Sequence, residues 1–272
     1  MNDALRAVLA PLGEAKHLLV GVDFDGTLAP LADEPMDAEP VSGAMPALHA
    51  LAELEDVTVA LVSGRALSTL HELTAAEDCV VLIGSHGAER SRAGELHLTP
   101  QERTRYDTVH AELRAMLADH PHARLELKPA ALVLHTRGVS VELARAATAE
   151  TVAVAERHDG VVVTRGKDVV EMAVTQADKG SALLDLAQTV GADVIVYAGD
   201  DVTDEDAFVQ LRGTDISVKV GSGQTAARYR VTNEHSVVSM LEILWAVRVS
   251  RTGRRDQGAN RHDQGTSTAS DT

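Results

Sequence analysis

An apolar run ends in two aspartates separated by one residue: Val20-Gly21-Val22-Asp23-Phe24-Asp25-Gly26-Thr27-Leu28. In an open α/β sheet, ligands bind at the carboxyl ends of strands. Residues two apart on an extended strand share a side, so this spacing aims both carboxylates, Asp23 and Asp25, at one reacting centre. A solvated strand exit with Gly26 as its turn is the plain alternative; the apolar approach and the Thr27-Leu28 continuation weigh against it. A second acidic group, Gly199-Asp200-Asp201-Val202-Thr203-Asp204-Glu205-Asp206, also follows an apolar run directly. Crowded carboxylates repel one another unless a cation binds or a pKa rises, and a set of hard oxygen donors suits magnesium. Asp204 and Asp206 also suit the first turn of a helix, where acidic side chains offset the helix dipole. Asp200 stands at the strand exit itself, a place that capping does not explain.

Two shorter features carry groups able to hold a phosphoryl oxygen. Leu61-Val62-Ser63-Gly64-Arg65 puts a hydroxyl at the end of an apolar run, and Ala177-Asp178-Lys179-Gly180 puts an ammonium at a helix start, beside the positive end of the helix dipole. Taken singly, each reads as readily as a capping serine or a solvated lysine.

These groups need strands and helices to position them. Short β-branched runs alternate with helical stretches, the pattern of a parallel α/β sheet. Strands are predicted at His17–Phe24, Val57–Val62, Cys79–Ile83, Val194–Ala198 and Ile216–Val220. Helices are predicted at Ala44–Leu54, Leu67–Leu73, Lys179–Val190 and Asp204–Leu211. The middle differs: a helix over Gln101–Ala118, strands at Leu125–Leu127 and Ala131–Thr136, a helix over Val141–Arg157, then strands at Val161–Thr164 and Val169–Val174. Helix–strand–strand twice over predicts an α+β domain at 100–175, inserted into a catalytic α/β core made of 1–99 and 176–249. From about Ser250 the chain is Arg, Gly, Asp, Gln, Ser and Thr, and its composition predicts a disordered tail over 250–272.

Composition narrows the function. A net charge of −16 argues against non-specific nucleic-acid binding, which depends on Lys and Arg neutralising phosphates. Six aromatic residues in all leave little for a base-stacking platform. A small anionic substrate remains compatible, because a metal and a few bases reverse the potential within one site. The single cysteine, Cys79, allows neither an intrachain disulfide nor a cysteine zinc site. No apolar run reaches membrane-spanning length, and the first residues lack the pattern of a secretory leader. The expectation is a cytoplasmic protein with no membrane partner.

In combination and order, Asp-x-Asp-Gly-Thr, Ser, Lys and Asp-Asp resemble the four motifs of the haloacid dehalogenase superfamily. Further stretches resemble trehalose-6-phosphate phosphatases: Ser63-Gly64-Arg65, Gly84-Ser85-His86-Gly87-Ala88-Glu89, Leu125-Glu126-Leu127-Lys128-Pro129, His135-Thr136-Arg137 and Gly166-Lys167-Asp168-Val169-Val170-Glu171. Many members follow that glutamate with Arg-Pro; here Met172-Ala173 follow. The resemblance implies a Rossmann-like parallel sheet core of haloacid dehalogenase type, with the insert as an α+β cap domain. It implies hydrolysis of a phosphorylated disaccharide, with Asp23 as nucleophile, Asp25 as acid and base, and Ser63 and Lys179 on the phosphoryl oxygens. Mg2+ would be held by Asp23, the Asp25 carbonyl and Asp200, with Asp204 in support. Sugars are often held by aromatic stacking, yet the insert contains only Tyr106, so a polar clamp of Glu126, Lys128 and Glu171 is expected. Arg65 is added to the substrate-binding set, and His86 and Arg137 read as structural. Phosphatases of sucrose phosphate or mannosyl-phosphoglycerate, a phosphomutase, and a non-catalytic sugar-phosphate sensor are the alternatives. Intact Asp23, Asp25, Lys179 and Asp200 argue against the sensor.

Overall fold

The computed structural model describes residues 3–32, 34–76, 78–91 and 98–263, with side chains to 250. The chain divides into two compact units: Met1–Val62, His71–Leu82 and Lys179–Thr272 form the first, and Ser63–Leu70 and Ile83–Asp178 form the second.

The first unit is built on the strands β1 (Leu18–Asp23), β2 (Val57–Val62), β3 (Val80–Gly84), β9 (Val194–Gly199), β10 (Ile216–Val220) and β11 (Tyr229–Val231), numbered so that the second unit carries β4 to β8; β1 pairs parallel with β2 and β9, and β10 with β9 and β11. Their order is β11-β10-β9-β1-β2-β3. Such strands are covered on both faces and so read as unbroken apolar runs; β1 and β9 are buried at every position. The chain moves from β1 outward through β2 and β3, then returns to the other side of β1 for β9. The order therefore reverses at the β1–β9 pair, where Val22 aligns with Ala198. Open sheets bind ligands at the strand ends beside such a reversal.

Helices α1 (Asp3–Leu9), α2 (Ala44–Ala52), α3 (Leu67–Thr74), α6 (Lys179–Val190), α7 (Val202–Gln210) and α8 (Glu234–Asp263) flank the strands, α3 crossing from the second unit into the first. α8 packs on α2 and on the turn Ala10–Glu14 through Val237, Met240, Leu241 and Leu244 among its buried residues. This helix runs through the first part of the stretch expected to be a disordered tail; residues 264–272 lie outside the described residues. A helix nucleated by packed turns extends at little cost, since each added residue gains a backbone hydrogen bond.

The second unit holds the end of β3, which pairs antiparallel with β4 (Glu89–Arg90), and the helix–strand–strand repeat. α4 (Pro100–Met116) opens with a capping box between Thr99 and Glu102. β5 (Arg124–Leu127), β6 (Ala131–His135), α5 (Val141–Ala155), β7 (Val162–Gly166) and β8 (Val169–Ala173) follow. The four strands form an antiparallel sheet in the order β5-β6-β8-β7. Leu132, Leu134, Val170 and Met172 point to one face and bury themselves against Tyr106, Val109 and Leu113 of α4 and Ala147, Val152 and Val154 of α5. Alternation then puts Glu126, Val133 and Glu171 on the opposite face. The α/β class with a parallel sheet and an α+β insert is the fold observed.

Candidate active site

β1 ends at Asp23, whose Cα partner on β2 is Val62, and Ser63 is the next residue. Asp23 is buried, and its Oδ1 accepts a hydrogen bond from Lys179 Nζ at 2.8 Å. Lys179 is the first residue of α6 and is itself 3% exposed. The same ammonium donates to Asp204 Oδ1 at 2.8 Å. Two carboxylates thus share one lysine. Burial pulls the Lys179 pKa down, but Asp23 and Asp204 outweigh it and hold the ammonium above its ordinary range.

Asp204 is the third helical residue of α7. Its Oδ2 accepts the Asp201 N–H at 2.9 Å, completing a capping box whose other half is Asp201. Its Oδ1 also accepts from the Tyr197 hydroxyl at 2.6 Å. Both oxygens are therefore engaged: Asp204 fixes Lys179 and caps α7 at once. Tyr197, in the interior of β9, is fully buried, and burial together with Asp204 pushes its phenol upward.

Asp200 is placed differently. It follows β9, its main-chain oxygen accepts from Lys219 Nζ of β10, and its Oδ1 is buried with no hydrogen-bond partner. A side chain on Gly26 would overlap the Asp200 carboxylate, and Gly26 has φ +72°, so glycine is required there twice over. Carboxylate oxygens of Asp23, Asp200 and Asp204 lie within 4.8 Å of one another, the one group of potential metal ligands among the described residues. Burial and the neighbouring acids push Asp200 up to about 6, and burial pushes Asp23 up against the pull of Lys179. A partnerless buried carboxylate oxygen, facing two more carboxylates with one lysine among them, fits a divalent cation with hard oxygen ligands.

Asp25 lies beyond the strand, in a turn where it bridges Ala29. Its direction is therefore set by the turn and not by the strand's period of two. The pair Asp23/Asp25 is a strand end and a turn, not two strand positions.

In the second unit, Ser63 Oγ accepts the Arg65 N–H at 3.1 Å, which leaves its own proton to donate. Arg65 contributes its main chain here: its carbonyl accepts from Ser85 N at 2.7 Å. Lys128, just past β5, donates to Glu171 Oε2 at 2.7 Å and to the Gly64 carbonyl at 3.1 Å. Glu126 Oε2 pairs with His135 Nε2 at 2.7 Å. In register, Glu126, Val133 and Glu171 form one row across β5, β6 and β8. Glu126 and Glu171 of the expected clamp therefore lie on the face away from α4 and α5, and Lys128, past the end of β5, reaches Glu171 by its ammonium. Met172 is fully buried on the helix side, so the departure from Arg after Glu171 fills the core of the insert and leaves the Glu171 face as it is.

Sequence reasoning missed Tyr197 and Lys219. Lys219 left a signal, a lysine between two valines inside a predicted strand. Tyr197 left a weaker one, since Tyr is an ordinary strand residue.

The trehalose-phosphatase family profile matches residues 21–235. The trehalose-phosphate phosphatase of Mycobacterium avium is 36% identical over 211 residues, 73% of this chain and 52% of that protein. The chain thus spans about half the length of this relative. The trehalose-6-phosphate phosphatase of Escherichia coli is 32% identical over 228 residues, covering 82% of this chain and 84% of that one. Among solved structures, the Aspergillus fumigatus trehalose-6-phosphate phosphatase superposes with a TM-score of 0.66 at 25% identity, covering 89% of this chain and 97% of that chain. None of the described helices is long and apolar enough to cross a membrane. The profile spans both aspartate-bearing strand ends, Lys179 and the whole insert, and on that extent of agreement the chain belongs to the trehalose-phosphatase family.

Proposed function

We propose that this chain hydrolyses trehalose 6-phosphate to trehalose and inorganic phosphate, with Asp23 as nucleophile. The observation that carries the chemistry is the buried Asp23–Lys179–Asp204 arrangement beside the partnerless Asp200 oxygen. The substrate follows from family membership and from the names of the Mycobacterium avium and Escherichia coli relatives. Asp23 attacks phosphorus and the bond to the sugar oxygen breaks, forming an aspartyl-phosphate. Asp25 protonates the departing oxygen, then takes a proton from the water that attacks the intermediate and releases phosphate. Lys179 and Ser63 hold the phosphoryl oxygens as charge shifts onto them. Asp23, Asp200 and the Asp25 carbonyl would hold Mg2+, with Asp204 in support, and the ion when bound neutralises charge on the phosphoryl group. Asp204 supports that site chiefly by fixing Lys179.

The insert at 100–175 reads the sugar. Glu126, Lys128 and Glu171 accept and donate hydrogen bonds to its hydroxyls, and Arg65 joins them in holding substrate. Phosphate release from purified protein, with Mg2+ or with chelator, tests the reading on a panel: trehalose 6-phosphate, sucrose phosphate, mannosyl-phosphoglycerate and glucose 6-phosphate. Trehalose 6-phosphate should lead, and chelator should stop turnover. Asp23→Asn should lower kcat by about a thousandfold or more; substantial remaining activity would defeat the nucleophile assignment. Alanine at Glu126, Lys128 or Glu171 should each raise KM about tenfold, the scale of one charge-assisted hydrogen bond. Unchanged kinetics in all three would remove the clamp.

A further inference from the structure

Ser85, His86 and Gly87 form a 3-10 turn in which all three have positive φ, at 48°, 55° and 109°. Residues with a Cβ rarely adopt this conformation, and two in succession persist only where the surroundings over-determine them. The surroundings do so here. Ser85 N donates to the Arg65 carbonyl at 2.7 Å, and His86 N donates to the Ser63 carbonyl at 3.0 Å. Ser85 Oγ donates to Glu89 Oε2 at 2.5 Å, and the same oxygen accepts from Leu67 N at 3.2 Å. The turn is thereby bolted to the Ser63–Leu67 segment.

The strained backbone delivers the His86 ring to one place. A Cβ on Gly64 would overlap that ring, so glycine at 64 makes its seat. The ring's Nε2 stands 3.7 Å from Glu171 Oε1, within charge–charge range though beyond a hydrogen bond. The other Glu171 oxygen takes Lys128, and Lys128 returns to the Gly64 carbonyl. Gly64, His86, Glu171 and Lys128 make a closed circuit, and all of it belongs to the second unit.

We propose that His86 is a positioning residue that sets the spacing between the Ser63 phosphoryl anchor and the Glu171–Lys128 pair. This inference rests on the roles given above to those three residues. Seated on Gly64, the ring keeps Glu171 at a fixed distance from the serine. Phosphate monoesters whose alcohol carries hydroxyls at that distance are then favoured over esters with a flat, hydroxyl-free leaving group.

The test compares kcat/KM for trehalose 6-phosphate and for p-nitrophenyl phosphate in the full chain. His86→Gly deletes the ring and relieves the backbone, since glycine accepts positive φ freely; His86→Asn deletes the ring and keeps a side chain tolerant of that conformation. Both should lower kcat/KM on the sugar phosphate about tenfold, mainly through KM, and leave the aryl phosphate within about twofold. In a Glu171→Gln background the His86 effect should shrink to within about twofold, because neighbours on one circuit couple. Equal losses on both substrates with unchanged melting curves would overturn the proposal, as would a full tenfold loss persisting beside Glu171→Gln. A His86→Gly protein that melts higher with undiminished sugar selectivity would reduce the turn to a structural feature. If the wild type prefers another sugar phosphate, the substrate assignment falls and the same comparison on that sugar decides His86. If it prefers the aryl ester to every sugar, the proposal falls too.

Discussion

At the scale of single residues, the same aspartate can be cap and clamp. Asp204 satisfies the α7 N-terminus with one oxygen and gathers Lys179 and Tyr197 with the other, so a helix-capping reading and a site reading are both correct. The Tyr197 hydroxyl is then a lever on Lys179. Tyr197→Phe should cost about 1.5–3 kcal/mol of stability, the range for a hydrogen bond to a charged group. It should also lower kcat about tenfold with little change in KM, as read by urea unfolding and steady-state kinetics. Asp200 yields a pH prediction. Its pKa in the folded chain is raised to about 6 by burial and by Asp204 and Asp201, so it takes up a proton as pH falls through that value, and a proton competes with a cation for the carboxylate. The rise in melting temperature produced by Mg2+ should be largest above pH 7 and shrink as pH falls through about 6. A Mg2+ effect independent of pH from 5 to 8 would contradict the assignment.

At the scale of elements, periodicity was sufficient where an element is regular. The strands Val57–Val62 and Ile216–Val220 and the helix Lys179–Val190 match their expected bounds, because buried parallel strands and amphipathic helices write themselves as apolar runs and stripes. The two-residue β4 and three-residue β11 were not legible, being too short to show a period. Asp25 shows the other limit: a strand's period of two does not carry past the strand's end. The insert holds itself together partly by charge between elements. Glu112 of α4 accepts from Arg157 Nη2 at 2.5 Å and pairs with His158 Nε2 at 2.9 Å, both just beyond α5. The Arg157 hydrogen bond, with His158 assisting, holds the Glu112 carboxyl below its usual value of 4.5. A depressed carboxylate stabilises the fold above its ordinary pKa and loses that contribution as pH falls through the lowered value. Glu112→Gln should therefore melt lower than wild type near pH 7, with the gap closing as pH falls below the usual 4.5 through the lowered value. A gap constant from pH 3 to 7 would rule out the ion pair as its source.

At the scale of the molecule, the first unit depends on a buried arginine near the end of the described side chains. Arg248 is 1% exposed and donates to the carbonyls of Leu12, Ala15 and Asp56, and it pairs with the Asp56 carboxylate at 2.5 Å. One guanidinium thus ties α8 to the segment before β1 and to the approach to β2. Arg248→Ala strips three carbonyls and a carboxylate of a shared donor, and should cost about 3–5 kcal/mol. Trp245, the single tryptophan, lies on the same helix three residues earlier, and its fluorescence during urea unfolding checks the figure.

The aspartates at two strand ends, the lysine at a helix start and the serine after β2 were all legible in the sequence, because apolar runs mark strands and strand ends are where polar residues first reappear. The sequence by itself also determined the division into a parallel core and an α+β insert, since the two hydrophobic patterns differ. Only the tertiary structure decided which groups meet. That Lys179 serves both Asp23 and Asp204, that Asp200 keeps a partnerless oxygen, and that Glu126 and Glu171 share one face with Lys128 bonded to Glu171 depend on strand order, on register and on side-chain direction. Those are set by packing between segments far apart in the chain, Asp23 and Lys179 being 156 residues apart, and no local pattern of residues records them.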